Sequence, residues 1–264
     1  MATLSEADIR RLSDELLAAE KDRHPVAALS ERIPGLTQEQ AYAIQLRTVQ
    51  TRVEAGARII GVKAAFTNRT IQQQYGMGEP AAGFLFDSRT FSDGAVVPFD
   101  ELTRGMVEPE IGCVLGEDLK GPGVTMTRAL QALEGVVPAI EIVGLRFRDW
   151  KVTAPDITAD SDGGWGVVLG GQITPVCGFD LRLVGCVLTK NGQIAQTGAG
   201  AAALGNPAGV VAWVANKLSA LGLDGLHRGQ VVITGSLMTP EVISRGDSYS
   251  ALYDRIGSVS VSFQ

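Results

Sequence analysis

Histidine is nearly absent, with two in 264 residues, and there are only three cysteines. His24 and His227 stand apart from any cysteine pair, so the usual donor set of a zinc site is missing. Cys113, Cys177 and Cys186 are too few and too dispersed for a disulfide framework and fit a reducing, cytoplasmic setting. No apolar run approaches the ~18–20 residues of a membrane-spanning helix, and residues 5–14 are charged where a secretory leader would be apolar. Basic residues are sparse as well. The 23 Lys and Arg against 29 Asp and Glu give a formal charge of −6 with no basic block, which argues against nucleic acid as a partner. Repeats and low-complexity tracts are lacking. What is present is a chain 45% apolar and 20% charged, able to bury a large core in one domain, or in a main domain with a small appendage.

Residues 1–57 read as a helical N-terminal segment. Ser5 with Asp8, and Thr37 with Gln40, are capping-box pairs opening amphipathic runs, and Gly56 is a natural stop. From residue 58 to 264 short apolar runs alternate with Gly, Pro, Asn and Asp. They predict strands over 59–66, 107–115, 139–143, 167–169, 183–189, 231–234, 248–253 and 258–263. Asn191-Gly192 predicts a hairpin, since both turn positions need positive φ. Asn206, Pro207 and Gly222 punctuate one helix. Few helices separate the strands, so a doubly wound sheet is disfavoured and an α+β fold with a β-rich body is expected.

The most informative segment is Glu108-Pro109-Glu110. Strand alternation puts the two glutamates on one face, roughly 7 Å apart, and Pro109, which donates no ladder hydrogen bond, predicts an edge or a bulge. Glu141 is a lone acid in an apolar strand, where an unpaired carboxylate costs several kcal/mol and demands a cation, a proton or a basic side chain. Three carboxylates suit a hard ion, Mg²⁺ or Mn²⁺. A solvated strand face with Glu141 in a structural ion pair accounts for the same pattern. Lys63, inside the apolar run 59–66, either snorkels to the surface or faces a polar pocket and handles an anion or a proton. Gly198-Ala199-Gly200 lacks dinucleotide-fingerprint spacing and reads as packing. Residues 160–164, rich in Asp, Ser and Gly, read as a surface loop or a polar pocket wall.

Together, Gly61-Val62-Lys63, Glu108-Pro109-Glu110, the run 138–143 around Glu141, Gly198-Ala199-Gly200 and Gly205-Asn206-Pro207 resemble the hydratase/decarboxylase branch of the fumarylacetoacetate hydrolase-like superfamily, over nearly the whole chain. The resemblance implies a mixed β-sheet roll with outer helices, residues 58–264 being the catalytic domain packed as one unit with the helical segment. It implies Glu108, Glu110 and Glu141 as metal ligands for Mg²⁺ or Mn²⁺, and Lys63 as a catalytic residue. Phe66, Thr67, Ala81, Asp160, Ser161 and Ser236 are the expected substrate contacts. The implied substrates are small 2-oxo or 2-hydroxy dienoic acids of aromatic-compound catabolism. A homo-oligomer, and association with a pathway partner enzyme, are also implied. Hydratases of the branch carry an Asp where this chain has Ala81, and Asn and Ser where it has Ser161 and Gly163; Glu79 is the expected replacement acid. Arg148-Asp149-Trp150 is similar to the hydratases, whereas Ala81 and the Gly/Ala run 198–203 are closer to the decarboxylases. A hydratase is the first expectation. A decarboxylase and a weakly active metal-binding partner subunit remain open, and a C–C hydrolase lacks its His–acid pair.

Overall fold

The computed structural model describes residues 4–264. Its N-terminal part forms α1 (Glu6–Lys21), α2 (Leu29–Arg32) and α3 (Gln38–Glu54). Both capping boxes form, with Ser5 and Thr37 accepting from the backbone of Asp8 and Gln40, whose side chains reach back. Leu12, Leu16, Leu29, Ala41 and Ile44 pack with Leu145, Phe147 and Ala159, so these helices share a core with the β-rich body.

Beyond them run β1 (Ile59–Ala65), α4 (Arg69–Gln74), β2 (Ala81–Phe86), β3 (Thr90–Ser92), β4 (Ala95–Val97), β5 (Gly105–Leu115), α5 (Met126–Ala132), β6 (Leu133–Gly144), α6 (Ala154–Ala159) and β7 (Gly164–Leu169). The chain ends with β8 (Gly185–Lys190), β9 (Gln193–Ala199), α7 (Pro207–Ala220), β10 (Val231–Ile233), β11 (Glu241–Val242), β12 (Ser248–Tyr253) and β13 (Gly257–Phe263). One sheet has the order β2-β1-β10-β5-β6-β7-β3 with β11 added on β5; the other is β4-β13-β12-β8-β9. Pairings β1–β10, β3–β7 and β4–β13 are parallel and the rest antiparallel, so both sheets are mixed. β2 packs back against β7, which curls the first sheet into a roll. This is the expected α+β roll.

β5 and β6 are the longest strands and pair from Gly105–Gly144 to Leu115–Leu133. Their apolar side chains Val107, Ile111, Cys113, Leu115, Ile140 and Ile142 are buried in one cluster with residues of α7. Asn191 (φ 51) and Gly192 (φ 77) make the expected hairpin between β8 and β9. Asn206 caps α7 on the Ala208 N–H, with Pro207 in its first turn. Gly198 and Gly200 are packing residues: an added Cβ would stand 2.2 Å from Leu237 O and 1.9 Å from Leu181 O.

One expectation fails. Pro109 lies neither on an edge strand nor in a bulge, because β5 sits between β6 on one side and β10 and β11 on the other. β10 pairs with residues 112–114 and β11 with Met106 and Val107, leaving a gap beside Pro109. Its carbonyl points into that gap and accepts from Leu237 N–H at 3.0 Å. In a strand N and O of one residue face the same side, so the missing proline N–H costs the β6 ladder nothing.

Candidate active site

The alternation that places Glu108 and Glu110 on one face of β5 also sets Glu108 directly opposite Glu141 of β6, with Glu110 opposite Ala139. One carboxylate oxygen from each of the three lies within 4.8 Å of the other two. Glu110 and Glu141 are fully buried and Glu108 partly so. Like charges at this distance repel, and the environment responds. Burial, then the Glu141 carboxylate, pushes Glu108 up to about 7 while Lys63 opposes. Burial and its two acidic neighbours raise Glu110 well above the usual carboxylate range, against the pull of Lys63 and the Gly235 N–H.

Lys63 is the one cation in the cluster and is 1% exposed, which removes the snorkelling alternative. Its side chain leaves β1 and reaches β6, with Nζ 2.6 Å from Glu141 Oε1 and donating at 2.6 Å to the Asp162 carbonyl. Two glycines leave room for it. A Cβ on Gly83 would stand 3.0 Å from Lys63 Cγ and 2.8 Å from Ser161 O, and one on Gly164 would stand 3.1 Å from Lys63 Cδ. Burial lowers the ammonium's pKa, but Glu141, Asp162 and Glu108 outweigh it and hold Lys63 charged above its ordinary value.

Three acids and one ammonium leave the group two positive charges short. Glu110 accepts from Gly235 N–H at 2.6 Å through Oε2, yet its Oε1 and Glu141 Oε2 receive no hydrogen bond despite burial. Unpaired buried acceptors cost about 1–3 kcal/mol each. A divalent cation supplies both the charge and the missing partner. The donor set is oxygen only, which suits Mg²⁺, Mn²⁺ or Ca²⁺ and not zinc. The residues present fit a hard metal ion.

Asp162, an acid that sequence reasoning passed over, lies beside Lys63. It belongs to a tight turn between α6 and β7, where Ser161 (φ 53), Asp162 (φ 54) and Gly163 (φ 71) are successive left-handed residues. Asp162 is 4% exposed; Thr158 Oγ1 donates to its Oδ1 at 3.2 Å, and Oδ2 has no partner. Burial, opposed first by Lys63, pushes it up to about 7. The only clue in the sequence was an Asp in a Ser-Asp-Gly turn, and that pattern usually marks a surface loop. Here the loop is buried.

The other expected site residues are distributed unevenly. Thr67 is buried and its Oγ1 lies 2.1 Å from where a Gly235 Cβ would stand, next to the donor that holds Glu110. Phe66 (φ 56) follows β1, with its ring edge-on to Tyr75. Ala81, fully buried, pairs with Ala65 at the start of β2. Ser161 sets its carbonyl against Gly83, and Ser236 donates to Met238 O at 2.7 Å. Two residues are engaged by basic partners elsewhere. Asp160 accepts from Arg146 N at 3.0 Å and Nε at 2.5 Å, so both its oxygens serve a buried structural ion pair. Glu79, 53% exposed, pairs with Lys217 at 2.8 Å and accepts from Trp213 Nε1. Its carboxylate is turned to α7.

A rolled mixed sheet whose central antiparallel pair carries three carboxylates, with a buried lysine from a third strand, brings together an all-oxygen donor set that fits a hard metal ion. Residues 58–264 match the fumarylacetoacetate (FAA) hydrolase C-terminal family, and the chain belongs to it. It is 38% identical over 252 residues to a 2-keto-4-pentenoate hydratase of Paraburkholderia xenovorans (strain LB400), covering 96% of this chain and 93% of the relative. It is 31% identical over 261 residues to a 4-oxalocrotonate decarboxylase of Pseudomonas sp. (strain CF600), covering 99% and 98%. The solved structure of 4-oxalocrotonate decarboxylase from Pseudomonas putida G7, complexed with magnesium and adipate, superposes with a TM-score of 0.96 over 100% of both chains at 30% identity.

Proposed function

We propose that this chain is a Mg²⁺- or Mn²⁺-dependent carbon–oxygen lyase. It would hydrate a small 2-hydroxy-2,4-dienoate to a 4-hydroxy-2-oxo acid, as in aromatic-compound catabolism. The observation that carries the reading is the triad Glu108, Glu110 and Glu141, converged within 4.8 Å with unpaired buried oxygens beside a charged lysine. These three would hold the ion, which when bound polarises the carboxylate and 2-oxo oxygens of a chelating acid. Lys63 sets a fixed positive charge beside that anion and so favours the enolate that forms in the tautomerisation preceding addition of water. Thr67, Phe66, Ser161 and Ser236 would line the substrate. Ala81 and Ala65 leave one wall small and apolar, which gives room for an alkyl or aryl tail.

Hydration is preferred over decarboxylation because relatives named as hydratases are 33–40% identical, against 31% for those named as decarboxylases. The decarboxylase reading keeps one specific support, the near-complete superposition on a decarboxylase structure. Ultraviolet absorbance separates them. Metal-dependent loss of the diene band without CO₂ release, abolished by EDTA, is the expected result. Loss only with CO₂ release from 4-oxalocrotonate replaces hydratase by decarboxylase, and no turnover of either substrate class refutes both, leaving a metal-binding partner subunit. A homo-oligomer, and association with an enzyme of the same route, belong to this proposal through the family resemblance. So does a cytoplasmic location. Among the described residues, no helix is long and apolar enough to cross a membrane and the three cysteines are unpaired.

A further inference from the structure

Hydration of a conjugated oxo acid needs more than charge stabilisation. One group must take a proton from water as its oxygen attacks, and a proton must be returned to carbon. In the proposed function the three glutamates would hold the cation, and Lys63 is bound between Glu141 Oε1 and the Asp162 carbonyl. β2 offers no acid, since residues 81–86 carry no ionisable side chain. Glu79 is held at Lys217 and Asp160 at Arg146. One buried acid near the site is left without a full set of partners, and it is Asp162.

The geometry points to Asp162 as the proton-transfer carboxylate of this site. Three observations support this. First, its backbone is fixed to the site: its carbonyl accepts from Lys63 Nζ at 2.6 Å, so one ammonium joins it to the metal-holding carboxylates. Second, its side chain is oriented but not neutralised. Thr158 Oγ1 donates to Oδ1, and Thr158 is itself held by α3, where Gln38 Nε2 donates to its hydroxyl at 2.7 Å and Gln45 Nε2 to its carbonyl at 2.8 Å. Oδ2 has no partner although the residue is 96% buried by its 4% exposure, an arrangement a purely structural Asp rarely keeps. Third, the turn is built at a cost. Ser161 and Asp162 both adopt φ near +54°, a region that costs non-glycine residues about 1–2 kcal/mol and persists where the surroundings enforce it. The charged and titratable groups around Asp162 are Lys63 of β1, Glu141 of β6 and Asp160 of the same turn, with Tyr42 of α3 sensing its charge. Lys63 is the cation that acts on it directly, while Arg146, which donates to the Gly164 carbonyl across the same turn, is paired with Asp160.

This inference rests on the hydratase reading and adds the following step. As the water oxygen bonds to C4, one water proton passes to Asp162 and the C3–C4 π pair shifts toward the 2-oxo group. Asp162 then returns that proton to C3. Water is thereby divided between O4 and C3, and the carboxylate ends ionised as it began.

The test is Asp162→Asn, which keeps the size, the Thr158 contact and a residue tolerant of positive φ. Three readouts are taken on the full-length protein: turnover of a 2-hydroxydienoate, Mn²⁺ uptake by calorimetry, and exchange of the C3 protons of 2-oxopentanoate in deuterated water by NMR. The expected result is a loss of about 10²-fold or more in turnover and in C3 exchange, with Mn²⁺ affinity within about threefold of wild type, and, at Mn²⁺ concentrations that saturate the site at every pH, with the acidic limb of the wild-type pH–rate profile gone. Turnover and exchange within about threefold of wild type overturn the inference, as does a loss accompanied by an unchanged pH profile. C3 exchange uses no diene. A wild-type protein that exchanges C3 protons but turns over no dienoate therefore refutes the substrate, not Asp162; one that binds Mn²⁺ without exchanging overturns both.

Discussion

Replacing Lys63 with methionine isolates the electrostatics of the cluster. Methionine keeps most of the buried length and removes the positive charge that touches Glu141, the cation in direct contact with the triad. Lys63 and Glu141 are 2% and 1% exposed at their side chains, so the pair is not screened by solvent. Removing one partner of a buried pair costs about 3–5 kcal/mol, because the other charge stays behind in a poor dielectric. The Asp162 carbonyl loses its donor as well. For a chain of this size each kcal/mol lowers Tm by about 2–4 °C, so the loss in EDTA is about 6–20 °C. A divalent cation acts in the opposite sense. Any ligand at about 100 times its Kd returns about 2.7 kcal/mol, and the variant, one charge more negative, binds the ion more tightly than wild type does. Calorimetric melts of both proteins with EDTA and with excess Mg²⁺ measure this directly. The expected pattern is a large drop without metal and a larger rescue by metal in the variant. Equal melting temperatures in EDTA, or equal metal shifts, would show that Lys63 and the carboxylates are not coupled as described.

Two further outcomes follow from the same groups. Glu108, raised to about 7 from an ordinary value of 4.5, binds its proton more tightly folded than unfolded, so its stabilisation of the apoprotein is complete below about 4.5 and lost as pH rises through about 7. Metal needs the ionised form and runs the other way: Mg²⁺ affinity should rise between about pH 5.5 and about pH 7.5 with proton release. Calorimetry in two buffers of different ionisation enthalpy detects that release, and none would contradict the raised carboxylates. Glu79→Gln should leave turnover and metal uptake within about threefold, since an exposed ion pair of this kind contributes about 0.2–1 kcal/mol. A loss above tenfold in steady-state turnover would return Glu79 to the mechanism.

The metal cage was legible because a period of two is enough to put Glu108 and Glu110 on one face, and an apolar strand makes Glu141 conspicuous. Their union was not, since the register that sets Glu141 opposite Glu108 depends on a long pairing spread over both strands. Lys63 was ambiguous for a similar reason. Whether a strand lysine snorkels or is buried depends on what covers that face, and the cover here is the turn at residues 161–163 on another element. Pro109 misled because the rule against proline in central strands assumes a neighbour on both sides; the gap between β10 and β11 removes that neighbour locally. Asp162 and Asp160 look alike in sequence. Only Arg146, buried and bonded to Asp160, tells the structural acid from the unpaired one.

Gln38 and Gln45 have a consequence for how the two parts of the chain depend on each other. Both stand on the long N-terminal helix, far from the acids in sequence, yet together they grip the threonine that aims Asp162. The helical segment is therefore more than a lid on a greasy patch. It is a tuning peg: trimming it, or tilting it by a turn, would detune the one side chain whose aim it sets, while the cage of glutamates on the sheet kept its shape.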